Sequence, residues 1–288
     1  MTDIERVGVV GCGLMGAGIA EVCARAGLPV TVVERDAQAA RAGRLRLTRS
    51  LDRAAAHDRI GEDQREAAAA LITVADQIEA LHDRDLVVEA VAEDERLKLD
   101  VFTRLDSVVG GDHTVLATNT SSIPVIRLAA ATARPERVVG VHFFNPVPRL
   151  RLVELVPSLL TSPATAARAE AFVTGALGKE VVRTRDQAGF VVNALLVPYL
   201  LAAVRMVESG SASVEDIDRG MVLGCAHPLG PLALTDLIGL DTTRAIAESL
   251  YAEFREPQYA PPPLLSRMVE AGLLGRKSGR GFHAYAEQ

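Results

Sequence analysis

The stretch Gly11-Cys12-Gly13-Leu14-Met15-Gly16 constrains this 288-residue chain more than any other, because it sets three glycines in the spacing G-x-G-x-x-G between an apolar run and a helical one. Arg6 to Val10 reads as a short strand, Ile19 to Ala26 has helical spacing, Gly27 stops the helix, and Val30 to Val33 is a second β-rich run. Together they spell a βαβ unit. In that setting the first glycine supplies a tight turn, the second lets a pyrophosphate approach the backbone, and the third lets helix and strand pack closely, while the helix amides face the phosphates. Glu34 closes the second strand, where an acid accepts both hydroxyls of a ribose and repels a 2′-phosphate. That placement favours NAD over NADP, although the adjacent Arg35 weakens the preference. Taken alone, the glycines are a turn and Glu34 a solvated charge; in this order they point to a dinucleotide.

Further strand candidates follow at Leu86 to Val91, Thr114 to Thr118, Arg137 to Phe143, Leu152 to Val156 and Glu180 to Arg183, with helical segments between most of them. Such alternation predicts a parallel sheet with helices on both faces. After Asp186 the texture changes. Phe190 to Glu208, Ser213 to Leu223, Leu232 to Phe254 and Leu264 to Ala271 all have helical patterning, and none of this region reads as strand. Ser213 with Asp216 fits a capping box, and Pro257 with Pro261, Pro262 and Pro263 marks a stiff connection before the last helix. The expectation is an α/β chain: a Rossmann-type, mostly parallel sheet domain over residues 1–186, then an all-helical C-terminal domain over residues 187–288.

Composition narrows the function classes. A net charge of -6 gives no global attraction to nucleic acid or an anionic membrane, so any polyanion site must be local. Charged residues are 24% and hydrophobic ones 49%, which suits packed cores rather than disorder. No run is long and apolar enough for a membrane span, and the first apolar run leads into the glycine loop rather than a cleavage site; a soluble, cytoplasmic protein is expected. Cys12, Cys23 and Cys225 have no C-x-x-C spacing, so neither a disulfide framework nor a zinc site is expected, and no cluster of His, Cys and acids suggests another metal.

Two polar segments follow strands where a parallel sheet opens its ligand crevice: Thr118-Asn119-Thr120-Ser121-Ser122 and His142-Phe143-Phe144-Asn145-Pro146. Glu154 comes twelve residues after His142, enough chain for a loop through Pro146 and Pro148 and a return strand that brings its carboxylate to the imidazole. A lone histidine at a strand end is more often a core or surface residue than a catalyst. Here Asn119-Thr120-Ser121-Ser122, His142-Phe143-Phe144-Asn145-Pro146-Val147-Pro148, Leu152-Val153-Glu154, Gly189-Phe190-Val191-Val192-Asn193 and Lys277-Ser278-Gly279-Arg280-Gly281-Phe282 occur together and in order, after the glycine loop. From about Arg6 to Tyr285 the chain resembles the 3-hydroxyacyl-CoA dehydrogenase family, particularly its bacterial 3-hydroxybutyryl-CoA dehydrogenases.

The resemblance implies reversible NAD-dependent oxidation of a (3S)-3-hydroxyacyl-CoA, short-chain, to the 3-oxoacyl-CoA. It implies His142 as acid and base on the C3 oxygen, Glu154 orienting it, Ser121 bonding near that oxygen, and Asn193 touching the acyl group. Gly11, Gly13, Leu14, Met15, Gly16 and Glu34 would hold the cofactor, with Glu93, Lys98, Asn145 and Lys277 at family positions that contact it; solvated lysines are the plain alternative for Lys98 and Lys277. A homodimer through the apolar helices after Phe190 is likewise implied. The chemistry suits the residue types, since a free imidazole titrates near neutrality and serves both directions, and donors around the oxygen stabilise developing charge.

Arg46, Arg49, Arg53 and His57 fall along one helical face, which could meet the phosphates of coenzyme A or simply water. Ser50 matches a coenzyme A contact in relatives, while His57 replaces a lysine that some of them carry. Arg149 and Arg151 stand where relatives carry apolar residues or one lysine; they suit an acidic acyl group, or point to solvent. Competing readings are a dehydrogenase of a hydroxyacyl carrier protein or of a free sugar acid, and a dinucleotide-binding structural protein, which the joint presence of His142, Glu154, Ser121 and Asn193 argues against.

Overall fold

Runs of β-branched residues too short for helices build the first of two compact units, residues 1–187; the second spans 188–288. The structure is a computed structural model that describes residues 3–111 and 113–285. In chain order the first unit comprises β1 (Val7–Val10), α1 (Leu14–Arg25), β2 (Val30–Val33), α2 (Ala37–Ala56), α3 (Glu62–Ala70), β3 (Ile72–Ala75), β4 (Leu86–Glu89), α4 (Glu95–Val108), β5 (Val115–Thr118), α5 (Val125–Ala130), β6 (Val138–Phe143), β7 (Leu152–Val156), α6 (Pro163–Ala171) and β8 (Glu180–Arg183). The strands form one sheet in the order β3-β2-β1-β4-β5-β6-β7-β8. Every neighbouring pair is parallel except β6 and β7.

β1, β2, β4, β5 and β6 are buried at every position, as strands covered on both faces must be. Alternate residues of β1, β4, β5 and β6, such as Val9, Val88, Ala117 and Val141, join a core with Ile19, Leu47, Leu51 and Phe172 from helices of the same unit. Helix starts are set by short polar side chains: Asp36 accepts the Ala39 amide before α2, and Asp94 accepts the Leu97 amide before α4.

β3 is a strand the sequence pattern does not announce. It is a four-residue edge strand, and only Val74 of its residues is buried. Its neighbours in sequence are helical, so nothing local separates it from a loop.

The second unit contains α7 (Val192–Glu208), α8 (Val214–Cys225), α9 (Pro231–Ile238), α10 (Leu240–Phe254) and α11 (Pro263–Glu270) around a core of Val197, Leu201, Val204, Leu240, Ala247 and Leu265. The single helix expected over Leu232 to Phe254 is two, broken at Gly239, whose φ of 101° a side chain rarely adopts. Isolated bridges join Gly275 to Arg280 and Arg280 to Ala284, so the tail has a trace of extended pairing where none is expected. Ser213 caps α8 through the Asp216 amide, and its hydroxyl bonds the Asp216 carboxylate. Pro257 opens a short 3-10 turn, and α11 starts at Pro263.

Candidate active site

The glycine loop links β1 to α1. Gly11 has a φ of 89°, and a Cβ there would lie 2.9 Å from the Ala90 carbonyl oxygen; at Gly16 it would lie 1.9 Å from that of Gly11. Those two positions admit no side chain. Gly13, the residue at the helix start, has open space on that side, as a backbone that must meet phosphate requires. Leu14 is exposed and Met15 half-buried. Glu34, just beyond β2, accepts the Cys12 amide at 2.6 Å and the Arg35 amide at 3.3 Å. Gly13 and Glu34 line one cleft whose apolar walls include Val10, Val33, Val91 and Val101. Glycine cradle, helix amides, apolar slot and acid together fit the adenosine and pyrophosphate of a dinucleotide. Arg35 is bonded to Asp36 rather than turned to Glu34's carboxylate.

His142 and Glu154 are register partners across the antiparallel pair β6–β7. His142 Nδ1 lies 2.8 Å from Glu154 Oε2, with Glu154 fully buried and His142 only 6% exposed. The return strand expected from the spacing forms, and it sets the carboxylate beside the ring. The Phe144 ring lies 4.6 Å from the imidazole, tilted by 60°. Asn119 Oδ1 accepts the Phe143 amide at 2.8 Å, tying the end of β5 to the residue after His142. The loop that follows is held by Lys179, whose Nζ donates to the Val147 and Leu150 carbonyls at 2.7 and 2.6 Å. Burial pushes this ammonium below its ordinary range. Asn145, in the same loop, is exposed.

Ser121 follows β5 and is half-buried. Glu93 Oε1 accepts the Ser121 amide at 2.9 Å, the Ser122 amide at 3.1 Å, and the hydroxyls of Thr120 at 2.5 Å and Ser122 at 2.9 Å. Partial burial works to raise the Glu93 carboxyl, but the Lys98 ammonium and these hydrogen bonds outweigh it and hold the group below the usual carboxylate range. Lys98 is not a solvated lysine. It is 1% exposed, 2.7 Å from Glu89 and 3.2 Å from Glu93.

Ser50 donates to Glu21 at 2.5 Å, and Glu21 also pairs with Arg25 at 3.1 Å. Arg46, Arg49 and Arg53 on α2 are all exposed, but Arg46 also donates to the Cys12 carbonyl of the glycine loop; His57 Nδ1 bonds the Arg53 carbonyl. Arg149 is exposed, and Arg151 pairs at the surface with Glu180. In the second unit, Asn193 sits half-buried in the first turn of α7, and Lys277 is paired with Asp241 at 2.5 Å. Among the described residues no group of His, Cys and acids could hold a metal ion, and no helix is long and apolar enough to cross a membrane.

Three residues of this region escape the sequence reading. Glu89, an acid closing an apolar strand beside the glycine loop, is the one with a visible signal; Asn119 lies in a quoted motif without a role, and Lys179 carries no mark at all.

Residues 6–187 match the family description "3-hydroxyacyl-CoA dehydrogenase, NAD binding domain", and residues 189–285 match "3-hydroxyacyl-CoA dehydrogenase, C-terminal domain". The chain belongs to the 3-hydroxyacyl-CoA dehydrogenase family. It is thus an NAD-dependent oxidoreductase by family, with the Rossmann-type and helical parts that the sequence suggests. A 3-hydroxybutyryl-CoA dehydrogenase of Mycobacterium tuberculosis is 58% identical over 286 residues, covering 99% of this chain and 100% of the relative. The crystal structure of FadB2 from M. tuberculosis matches with a TM-score of 0.97 at 58% identity, over 98% of this chain and 99% of that one. A second, the (S)-3-hydroxybutyryl-CoA dehydrogenase PaaH1 from Ralstonia eutropha, matches with a TM-score of 0.93 at 44% identity, over 99% of this chain and 100% of that one.

Proposed function

We propose that the protein catalyses the reversible oxidation of (3S)-3-hydroxyacyl-CoA, of the short 3-hydroxybutyryl type, to 3-oxoacyl-CoA, with His142 and Glu154 as the proton-transfer pair. The observation that carries this reading is the buried His142–Glu154 contact at 2.8 Å, with Asn119 of the polar segment after β5 bonded to the next residue, Phe143. Relatives that bear the butyryl name support the chain length, and the (S) in the name of the R. eutropha enzyme supports the stereochemistry.

Bound NAD would supply the hydride acceptor for C3. Within the chain, Glu154 holds the imidazole through Nδ1, which assigns proton exchange with the C3 oxygen to Nε2. The ring takes the hydroxyl proton in oxidation and returns it in reduction. Ser121 donates to the same oxygen as its charge develops. Asn193 is assigned to the acyl group, and Ser50, Arg49 and Arg53 to the coenzyme A part. Gly11, Gly13, Leu14, Met15, Gly16 and Glu34 bind the adenosine and pyrophosphate side of the cofactor, and Glu93, Lys98, Asn145 and Lys277 occupy family positions that contact it.

The helical domain also supplies a homodimer contact, which suits Leu195 and Leu223 of the second unit, 73% and 71% exposed. A cytoplasmic home suits the unpaired Cys12, Cys23 and Cys225.

The test is turnover of acetoacetyl-CoA with NADH, followed at the nicotinamide absorbance. Consumption of NADH is expected. Reaction only with an acetoacetyl carrier protein or with a sugar acid would reassign the substrate, and no reaction with any of them would leave a dinucleotide-binding scaffold.

A further inference from the structure

β4 closes on Glu89, a carboxylate with no exposed surface at the end of an apolar strand in the middle of the sheet. A charge in that place is costly unless every oxygen is engaged. Both are. Oε1 accepts the Val91 amide at 2.8 Å and the Lys98 ammonium at 2.7 Å, and Oε2 accepts the Thr118 hydroxyl at 2.8 Å.

Two arms leave this carboxylate and meet again at the serine loop. In one, Lys98 also pairs with Glu93, whose Oε1 gathers the Ser121 and Ser122 amides and the Thr120 hydroxyl. In the other, the Thr118 oxygen accepts the Thr120 amide at 3.1 Å. The result is a closed ring, Glu89–Lys98–Glu93–Thr120–Thr118–Glu89, with Ser121 attached to its outer edge. Lys98 is shared between two carboxylates, so the nearer one decides where the ammonium rests. Without the charge at Glu89, the ammonium moves toward Glu93 and draws that carboxylate away from the serine amides.

We infer that Glu89 is a positioning residue for the reaction: through Lys98 and Glu93 on one side and Thr118 on the other, it fixes the loop that presents Ser121 to the C3 oxygen. The inference rests on the proposed role of Ser121. Glu89, fully buried, acts through the loop geometry rather than by touching substrate or cofactor, and a displacement of about 1 Å at such a group can cost on the order of a hundredfold in rate.

The experiment compares Glu89→Gln, Thr118→Val, Ser121→Ala and the double variant Glu89→Gln/Ser121→Ala in the purified full chain, with acetoacetyl-CoA and NADH. Glutamine keeps the shape and an acceptor for the Val91 amide but removes the charge. Expected are a fall in kcat at saturating NADH of about tenfold or more for Glu89→Gln and a smaller fall for Thr118→Val, with any weakening of NADH binding, read by fluorescence titration, smaller than the loss in kcat. The double variant should be no slower than Ser121→Ala, because a residue acting through Ser121 has nothing left to position. NADH titration also reports the folded fraction, and Thr118→Val keeps the buried charges intact if Glu89→Gln folds poorly. Native turnover in Ser121→Ala would remove the serine assignment and this inference with it. A slow Ser121→Ala beside a native Glu89→Gln overturns the inference alone. So does a double variant whose losses multiply, or a Glu89→Gln defect confined to NADH affinity, which would assign the ring to the cofactor.

Discussion

His142 and Glu154 stand directly opposite each other on the one antiparallel pair in the sheet, and their side chains meet at 2.8 Å in a site where Glu154 has no exposed surface. Pairing by backbone register means that neither side chain needs a flexible reach to find the other. A proton-transfer pair held this way should behave as one unit. His142→Ala should lower kcat by about 10²- to 10⁴-fold while NADH binding stays near wild type, because the glycine loop and Glu34 lie on other strands. Glu154→Gln should also slow turnover, since the carboxylate that orients the imidazole through Nδ1 is gone. The double variant should be little slower than His142→Ala; losses that multiply in steady-state assays would break the assignment.

Cofactor choice should follow Glu34. Its carboxylate shares a cleft with Gly13, and a 2′-phosphate there would force it to lose water beside a like charge. NADH should be preferred to NADPH in kcat/KM, and Glu34→Gln should narrow the gap. Comparable values for both cofactors in wild type would refute this.

The arginine face of α2 should split into two functions. Arg46 grips the Cys12 carbonyl, so Arg46→Ala should weaken NADH binding through the glycine loop. Arg49 and Arg53 are exposed, and if they meet coenzyme A phosphates, their joint change to alanine should raise KM for acetoacetyl-CoA but not for a pantetheine-truncated thioester, with kcat unchanged. Equal effects on both thioesters, or none, would return these two to solvent.

Acid stability should depend on Glu93. Its carboxyl is held below the ordinary value of 4.5, so as pH falls the unfolded chain takes up this proton first. The stabilisation is therefore complete above that value and drains as pH falls through the folded-state titration. Urea midpoints taken from about pH 6 down to about pH 3 should fall more steeply for wild type than for Glu93→Gln. Parallel curves would show that the carboxylate contributes nothing beyond its shape.

Thiol chemistry should single out one cysteine. Burial pushes Cys12 to about 11, with Glu34 adding to the shift, and Cys23 to about 12, so both stay protonated and covered at neutral pH. Cys225 is exposed. A short maleimide treatment followed by mass spectrometry should place one label, on Cys225, in the folded protein. Early labelling of Cys12 would mean that the glycine loop opens.

Much of this was legible because its signals are local. The glycine spacing, Glu34 after a strand and the return of Glu154 twelve residues beyond His142 all follow from strand and turn rules. The edge strand β3 was not, since its pairing with β2 comes from sheet assembly rather than from its own mixed pattern. Gly239 looks like a tolerable helix interior residue until its backbone angle is known. Lys98 shows the deeper limit. A lysine in a polar, helical stretch reads as a surface residue, and only the burial of Glu89 and the turn of Glu93 toward it make an interior place affordable. Nothing in the sequence marks the bonds that Ser50 makes to Glu21 and Arg46 to the Cys12 carbonyl.

The strand order carries one more consequence. β1 lies between β2 and β4, with Glu34 following one flank and Glu89, Ser121, His142 and Glu154 strung along the other. The acid after β2 and the buried His142–Glu154 pair are thus written in separate stretches of chain on opposite sides of a single strand. A lineage could exchange its preference for one redox currency or another by rewriting the turn after β2, and leave the acid–base apparatus untouched. The reverse also holds, so that substrate chemistry can drift under a constant cofactor.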